Sequence, residues 1–195
     1  MDGSNLRQVT LEDKYQLVKG RVFISGTQAL VRLPIMQRQR DEANGLATAG
    51  FISGYRGSPI GGYDNALWAA KSYLAEHDIV FQPGLNEDLA ATAIWGTQQL
   101  DFVPGKKVDG VFSIWYGKGP GVDRSGDPLK HINFNGTHPN GGVLVVFGDD
   151  HPGKSSSIGH QSDPALAANS IPVLFPATIQ EFIDYGLHGI ALSRY

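Results

Sequence analysis

The sequence predicts an α/β fold with a doubly wound, mainly parallel sheet, and three observations lead to this prediction. Short, continuous apolar runs recur along the chain, as in strands that are buried on both faces. Helical patterns lie between several of these runs, which is the order that a parallel sheet with crossover helices requires. Glycine makes up 25 of the 195 residues, well above the usual ~7%, and the glycines gather in loops.

The predicted elements follow one another in a regular order. The first is a helix over residues 27–44, which Pro34 should kink or split because proline lacks a backbone donor. Five strands are expected at residues 49–53, 79–82, 111–115, 143–147 and 173–175. Further helices are expected at residues 65–77, 87–100 and 179–195. Doubly wound sheets bind ligands at the carboxyl ends of their strands, so we expect a site in the loops that follow the strands.

The chain divides into a polar lead-in over residues 1–14 and one α/β domain over residues 15–195. The last helical pattern reaches the final residue without a glycine, asparagine or proline to stop it. Such a pattern fits a natural terminal helix as well as a cut from a longer polypeptide. We expect the domain to be truncated at its C-terminal end.

Composition limits the classes of function. The net charge of −3 and the isoelectric point near 6.0 provide no general attraction to nucleic acid or to an anionic membrane. No apolar run approaches the roughly 20 residues of a spanning helix, and residues 1–14 contain no apolar signal core, so a cytoplasmic protein is expected. The absence of cysteine excludes disulfides and cysteine-ligated zinc or iron–sulfur sites within the chain. No metal site is predicted.

One motif favours nucleotide binding. Residues 148–155, GDDHPGKS, match the spacing with which a phosphate-binding loop cradles a nucleotide. However, Asp149 and Asp150 place negative charge where a polyphosphate would lie. A helix starting at Lys154 would meet Gly159 in its second turn, and no later strand ends in an acid that would hold magnesium. A nucleotide-binding module using Gly148 to Ser155 remains the alternative.

A second group of motifs follows the first two strands. Residues 54–59, GYRGSP, form a loop after the first strand, and Asn86 with Glu87 opens a helix after the second. Asn86 is a good N-cap, and an acid in the first turn complements the helix dipole. The helix is small or apolar almost all round, which indicates packing against the core or another subunit. Glu87 would then be partly desolvated, which raises the pKa of a carboxyl.

Together, five segments resemble the amino-terminal region of the indolepyruvate ferredoxin oxidoreductases. This family belongs to the thiamine-diphosphate-dependent 2-oxoacid:ferredoxin oxidoreductases. The similarity runs from about Tyr15 to the last residue, and several unrelated motifs occur in order. The segments are SGTQA at 25–29, GYRGSP at 54–59, PGLNEDLA at 83–90, WYGKGPGVDR at 115–124 and GDDHPGKS at 148–155.

The resemblance implies a fold of the thiamine-diphosphate-binding type, in which this segment is the domain for the aminopyrimidine ring. Glu87 matches the glutamate that pairs with the distal nitrogen of the ring and exchanges a proton with it as a general acid–base. The resemblance also implies cofactor contacts by Tyr55, Gly57, Ser58, Pro59 and Asn86. The chain departs from the Tyr-Pro-x-Thr-Pro pattern of the family at two positions: arginine replaces the first proline and serine replaces threonine.

Other strand-end loops carry ionisable and polar residues. Each of them could face the substrate or a partner domain, and each could equally be a surface or loop-stabilising residue. Arg56 could meet the substrate carboxylate, although a solvated surface arginine is the simpler explanation. The candidates are Arg56, Lys118, Arg124, His151, His160 and Gln161.

The family needs parts that this sequence lacks. The resemblance implies that Mg2+ and the diphosphate are held by another domain, and that [4Fe-4S] clusters lie elsewhere in the full protein. It implies an indolepyruvate-like aryl 2-oxoacid as substrate, with coenzyme A and ferredoxin as further partners, and a homo-oligomeric enzyme. The chain by itself is expected to be inactive.

Overall fold

The computed structural model describes residues 8–195 and contains one four-stranded parallel sheet. Its strands lie in the order β2-β1-β3-β4, and in the pairing register Ile52 lies opposite Phe81 on one side and Ile114 on the other. The α/β class and the parallel sheet are thereby confirmed. The strands are β1 Ala49–Gly54, β2 Ile79–Phe81, β3 Val111–Lys118 and β4 Val143–Gly148.

Helices cover both faces of the sheet, as a doubly wound fold requires. Helices α2, α3, α4 and α9 pack in one apolar core with β1 and the even-numbered residues of β3, such as Ile114. Helices α5 to α8 pack in a second core on the opposite face, around Trp115 of β3. The helices are α1 Asp13–Gln16, α2 Gly26–Ala43, α3 Tyr63–Ala69, α4 Lys71–Glu76, α5 Glu87–Thr97, α6 Gly119–Arg124, α7 Gly126–Asn135, α8 Ser162–Ala168 and α9 Ile179–Ser193.

Helix α2 is continuous through Pro34, so the predicted split is wrong. Proline at this position leaves the carbonyl of Leu30, four residues earlier, without its helical donor. The phenol of Tyr63 in α3 donates to that carbonyl over 3.2 Å. A capping box between Ser25 and Gln28 starts the helix one residue earlier than predicted. A tertiary contact thus satisfies the acceptor that the sequence alone leaves orphaned.

The predicted strand at residues 173–175 is also wrong, because residues 171–177 are extended but belong to no sheet. Ile171 and Val173 pack instead against the core around α8. Pro172 and Pro176 lack the backbone donors that a ladder would use.

Other predicted boundaries shift where tertiary contacts extend or end an element. β3 continues to Lys118 because its last residues pair with the end of β4. The helix predicted at residues 65–77 is divided at Ala70 into α3 and α4. The helix predicted at residues 87–100 stops at Thr97 and is followed by a 3-10 turn, Leu100–Phe102. Helices α6, α7 and α8 were not predicted.

The polar lead-in lies partly outside the described residues, which begin at residue 8, and within it α1 starts at Asp13. The division into a lead-in and one domain stays a prediction. In the described part of the chain, no helix combines the length and the apolar character needed to cross a bilayer.

A buried ion pair joins the end of α9 to α2. Arg194 donates to both carboxylate oxygens of Asp41 over 2.7 and 2.8 Å, and Asp41 is 2% exposed. Gln37 and Thr48 each donate a further hydrogen bond to the same carboxylate, both over 2.8 Å. Because all these donors converge on one buried charge, removal of that charge leaves several of them poorly satisfied.

We therefore expect Asp41→Asn to lower the free energy of unfolding by about 3–5 kcal/mol, as for other broken buried ion pairs. Glu42→Gln on the same helix is the matched control. The Glu42 carboxylate is 71% exposed and lies 3.8 Å from Arg38, so its loss should change stability by no more than about 0.5 kcal/mol. Urea unfolding at neutral pH measures both variants, and equal effects would contradict the assigned role of Asp41.

Candidate functional site

The carboxyl ends of all four strands lie at one edge of the sheet because the strands are parallel. β1 and β3 are neighbours. The strand that follows β1, β2, lies on one side of this pair, and the strand that follows β3, β4, lies on the other. This arrangement is the topological switch point at which open α/β sheets bind ligands. The loops after the four strands meet at this edge.

Ser155 links the loops that follow three of the strands. Its hydroxyl oxygen accepts from the backbone N–H of Ser58 over 3.3 Å and from Nζ of Lys118 over 2.7 Å. Its own N–H donates to Oδ2 of Asp150 over 3.1 Å. The structure thus brings together Ser58 and Lys118, which are separated by 60 residues in the sequence, through a serine that was not singled out as a site residue.

Two glycines allow these loops to approach one another closely. A Cβ on Gly57 would lie 2.6 Å from Cδ of Lys118, and a Cβ on Gly148 would lie 2.7 Å from Cγ of Pro59. A side chain at either glycine would require Lys118 or Pro59 to move. The Ser58–Pro59 peptide bond is cis. Gly57 and Ser58 are half-buried, whereas Tyr55 is 42% exposed.

Glu87 opens α5 at the same edge of the sheet. The side chain of Asn86 accepts from the N–H of Leu89 over 2.8 Å and caps the helix, as predicted. Nε1 of Trp115 in β3 donates to the backbone carbonyl of Glu87 over 3.0 Å. The Glu87 side chain is half-buried and packs over Gly121, where a Cβ would lie 2.6 Å from its Cγ and 3.0 Å from its Oε1. Within residues 8–195, this carboxylate has no hydrogen-bond or ion-pair partner.

His160 packs over α6, the short helix that contains Gly121. A Cβ on Gly119 would lie 2.6 Å from Cβ and Cγ of His160. Nδ1 of His160 lies 3.3 Å from Oδ2 of Asp123, and its Nε2 is buried without a hydrogen-bond partner. Helix α6 therefore presents one glycine to His160 and another to Glu87. The sequence identified both side chains but not the glycine-bearing helix that holds them.

The remaining candidates are exposed, three of them in loops and Arg124 at the C-terminal end of α6. In the described residues they make no side-chain hydrogen bond or ion pair, so the structure does not join them to the Ser155 contacts or to Glu87. They are Arg56, Arg124, His151 and Gln161.

A buried tyrosine–aspartate group behind the first loop was missed. Tyr116 is a buried residue near the end of β3. Its ring packs edge-on against that of Tyr63 at a centroid distance of 5.2 Å. Burial, followed by the nearby Asp64 carboxylate, raises the pKa of the Tyr116 phenol well above its ordinary value. Among the described residues, the buried hydroxyl of Tyr116 and Oδ1 of Asp64 have no hydrogen-bond partner with good geometry. The sequence placed Tyr116 in the loop after the strand predicted at residues 111–115, but it singled out neither Tyr116 nor Asp64 as a site residue.

The segment with phosphate-loop spacing has a different geometry from a nucleotide site. No helix begins at Lys154, since residues 154–161 form turns and bends and α8 starts only at Ser162. The Asp149 carboxylate accepts from the N–H of Ser162 over 2.7 Å, and Asp150 accepts from the N–H of Ser155. The Asp150 carboxylate thus occupies an amide of the loop that a phosphate would need.

The contact between Glu87 and Gly121 can be tested by a double-mutant cycle. We expect Gly121→Ala to destabilise the protein by about 1–3 kcal/mol, as overpacking does. Most of this loss should disappear in a Glu87→Ala background because the clashing Cγ is gone, which gives a coupling energy of about 1 kcal/mol or more. Gly96→Ala is the control, since Gly96 is in α5 with nothing within 4 Å of its Cβ position. Additive losses in denaturant unfolding would show that the two residues do not touch.

Asp150 should make stability depend on pH. The N–H of Ser155, followed in importance by that of Lys154, lowers the pKa of Asp150 below its ordinary value of 3.8. A carboxyl with a lowered folded-state pKa stabilises the protein above its unfolded-state pKa and loses that contribution as pH falls through the folded-state pKa. The stability difference between wild type and Asp150→Asn should therefore be constant above about pH 5 and shrink as the pH falls below about 4. A difference that is independent of pH in urea titrations would refute this.

One curated protein of known name is similar to the chain. It is the indolepyruvate oxidoreductase subunit IorA of Methanothermobacter marburgensis, 27% identical over 176 residues. The matched region covers 89% of this chain and 24% of IorA, so the chain spans about a quarter of the length of that relative. No protein-family model matches the chain, and no solved structure matches it. The similarity is distant, and it relates the chain to a subunit of an oxidoreductase.

Proposed function

We propose that this chain is the aminopyrimidine-binding part of a thiamine-diphosphate-dependent enzyme that oxidises a 2-oxoacid. The placement of Glu87 carries the proposal: it lies at the switch-point edge of the sheet, at the start of a helix, with an unpaired carboxylate. The ordered motifs of the sequence and the distant similarity to IorA support the same class of enzyme.

The surroundings of Glu87 fit a carboxyl that exchanges a proton with a weakly basic ring. An ion-pair partner would hold the carboxyl ionised and oppose that exchange, and none lies among the described residues. Gly121 leaves room beside the carboxylate, and the hydrogen bond from Nε1 of Trp115 holds the backbone carbonyl of Glu87. When bound, the cofactor supplies the electron sink for decarboxylation. The role of Glu87 is to hold a proton at the distal nitrogen of the ring and to release it.

The loop at Ser58 forms the other side of the proposed site. Ser155 holds its backbone, and Lys118 extends along Gly57 to the same serine. In this proposal Tyr55 and Ser58 line the cofactor pocket, and Arg56, exposed at the same edge, meets the carboxylate of the substrate. Asn86 contributes through the helix it caps, since its side-chain oxygen is already used by Leu89.

Other parts of the proposed enzyme would lie outside this chain. Mg2+ and the diphosphate would be held by another domain, and [4Fe-4S] clusters would receive the electrons and pass them to ferredoxin. An aryl 2-oxoacid such as indolepyruvate would be converted to its acyl-coenzyme A. Two exposed apolar side chains lie near Glu87: Leu85, just before α5, is 87% exposed, and Leu89, in the first turn of α5, is 50% exposed. This surface suits contact with a further domain or a second subunit of a homo-oligomer in the cytoplasm.

The nucleotide-binding alternative has no such support. Asp150 accepts a hydrogen bond from the N–H of Ser155 in its own segment, and Lys154 is exposed without a helix behind it. A polyphosphate in this loop would have to displace the Asp150 carboxylate from that N–H.

Two variants of the full-length protein, with its clusters intact, distinguish the proposed enzyme from the nucleotide-binding alternative. We expect thiamine-diphosphate-dependent dye reduction with indolepyruvate and coenzyme A, falling by at least about a hundredfold in Glu87→Gln, as for the loss of a general acid–base group. Lys154→Ala should retain activity within a few-fold because its side chain is exposed.

Each alternative outcome contradicts a separate part of the proposal. An active Glu87→Gln enzyme would remove the assigned role of Glu87 and leave the enzyme class standing. A wild type that turns over no 2-oxoacid with added thiamine diphosphate would refute the enzyme class. ATP binding that is lost in Lys154→Ala would establish the nucleotide site.

A further inference from the structure

Lys118 is a half-buried cation at the carboxyl end of the central strand. It is the last residue of β3, the strand that contributes to both apolar cores. Its aliphatic stem lies against Gly57, where a Cβ would come within 2.6 Å of Cδ and 3.1 Å of Cγ of Lys118. Its Nζ donates to Oγ of Ser155 over 2.7 Å. The side chain is therefore held along its length between the loops at residues 54–59 and 148–155.

The ammonium of Lys118 lacks an anionic partner. Among residues 8–195, Nζ donates to Ser155 and forms no ion pair with a carboxylate. An ammonium has three N–H donors, so the neutral hydroxyl of Ser155 leaves donors for a further acceptor. Asp150 interacts with Lys118 only at longer range, and its carboxylate accepts the N–H of Ser155 over 3.1 Å. A half-buried charge without a counter-ion is unfavourable for the fold, and an anionic ligand would remove this cost.

The other lysine and arginine side chains of these loops are not held in this way. Arg56, Arg124 and Lys154 are exposed, and none of their charged groups makes a hydrogen bond or an ion pair within the described part of the chain. A long side chain without fixed contacts loses rotamer freedom when it binds a ligand, and that loss opposes binding. Because Lys118 is already ordered by Gly57 and Ser155, the loss is smaller for this residue.

The ammonium of Lys118 lies beside both sides of the proposed site. Ser155 accepts from the N–H of Ser58 as well as from Nζ of Lys118, so the ammonium adjoins the loop on one side of that site. Lys118 also directly precedes α6, whose Gly121 contacts Glu87 on the other side. A substrate bound at this edge would bring its carboxylate to an ordered cation.

We propose that Lys118 fixes the carboxylate of the 2-oxoacid substrate, and that Ser155 is a positioning residue that holds the Lys118 ammonium through its hydroxyl. The inference rests on the proposed function, because it takes the substrate to be a 2-oxoacid. Hydrogen bonds from an ammonium to a carboxylate are among the stronger polar contacts in proteins. Arg56 is exposed at the same edge, and its role is to attract the carboxylate before Lys118 binds it.

Two ligands that differ in their charged group test this proposal on the full-length protein without added thiamine diphosphate. Indole-3-acetate and indole-3-acetamide share the aryl ring, and neither has a 2-oxo group that could react. In calorimetric titrations, the wild type should bind the acetate at least about tenfold more tightly than the amide, as for a hydrogen bond to a charged group. Lys118→Met keeps an unbranched apolar stem beside Gly57, and it should bind the two ligands within a few-fold of each other.

Lys154→Met and Arg56→Gln are the matched controls. Lys154 carries the same charge one residue before Ser155, and Arg56 carries it one residue before Gly57, but both side chains are exposed. Each control variant should still bind the acetate at least about tenfold more tightly than the amide. A wild type without this preference, a Lys118→Met protein that retains it, or an Arg56→Gln protein that loses it would overturn the proposal.

Gly57→Ala keeps the charge of Lys118 and alters its position. The added Cβ would lie 2.6 Å from Cδ of Lys118, so the side chain has to move and the preference for the acetate should fall. Gly62→Ala is the control, with nothing within 4 Å of its Cβ position. Ser155→Ala should also reduce the preference, and Ser155→Thr, which retains a hydroxyl, should restore it. If Lys118→Met does not fold, an unchanged preference in both Gly57→Ala and Ser155→Ala would refute the assignment.

Steady-state kinetics of the complete enzyme separate this inference from the proposed function. Loss of carbon dioxide removes the negative charge of the carboxylate, so its contact with Lys118 acts on substrate binding more than on the chemical step. Lys118→Met should therefore raise KM for indolepyruvate about 10- to 100-fold and change kcat by no more than a few-fold. Thiamine-diphosphate-dependent turnover with an unchanged KM would refute the inference and leave the proposed function standing. Binding of the acetate that depends on Lys118, in a protein without such turnover, would refute the proposed function and leave Lys118 as a carboxylate-binding residue.

Discussion

The central strand β3 is the constraint on which the rest of the structure depends. It pairs with β1 on one side and β4 on the other, and its side chains enter both apolar cores. Trp115, fully buried on one face, also donates the hydrogen bond that fixes the carbonyl of Glu87. Tyr116, fully buried on the other face, packs beside the loop that carries Ser58. The same strand thus sets the core and positions the two sides of the candidate site.

Close packing at the strand ends explains much of the glycine content. Gly57, Gly119, Gly121 and Gly148 each lie where a Cβ would meet another residue at less than 3 Å. Their neighbours are Lys118, His160, Glu87 and Pro59, respectively. The requirement at these positions is space for a neighbouring side chain, and none of the four has a positive φ. Composition pointed to these loops, and the physical reason for their glycines is crowding between loops more than backbone freedom.

The molecule also presents two apolar surfaces that its described residues leave uncovered. One is a groove beside β4, and the other lies at the start of α5, where Leu85 and Leu89 are exposed. They lie on different elements of the fold.

The sequence by itself determined the α/β class, four of the strands and the position of Glu87 behind its Asn86 cap. These features rest on local patterns: runs of apolar residues, a capping side chain and the loop that must follow a strand. Only the tertiary structure decided the continuity of α2 through Pro34, because the phenol that satisfies Leu30 comes from another helix. The same holds for residues 173–175, whose apolar composition fits a strand although they pair with none, and for residues 148–155, whose spacing fits a phosphate loop. In each case the outcome depends on which group from a distant part of the sequence contacts the backbone, and the local sequence does not encode that contact.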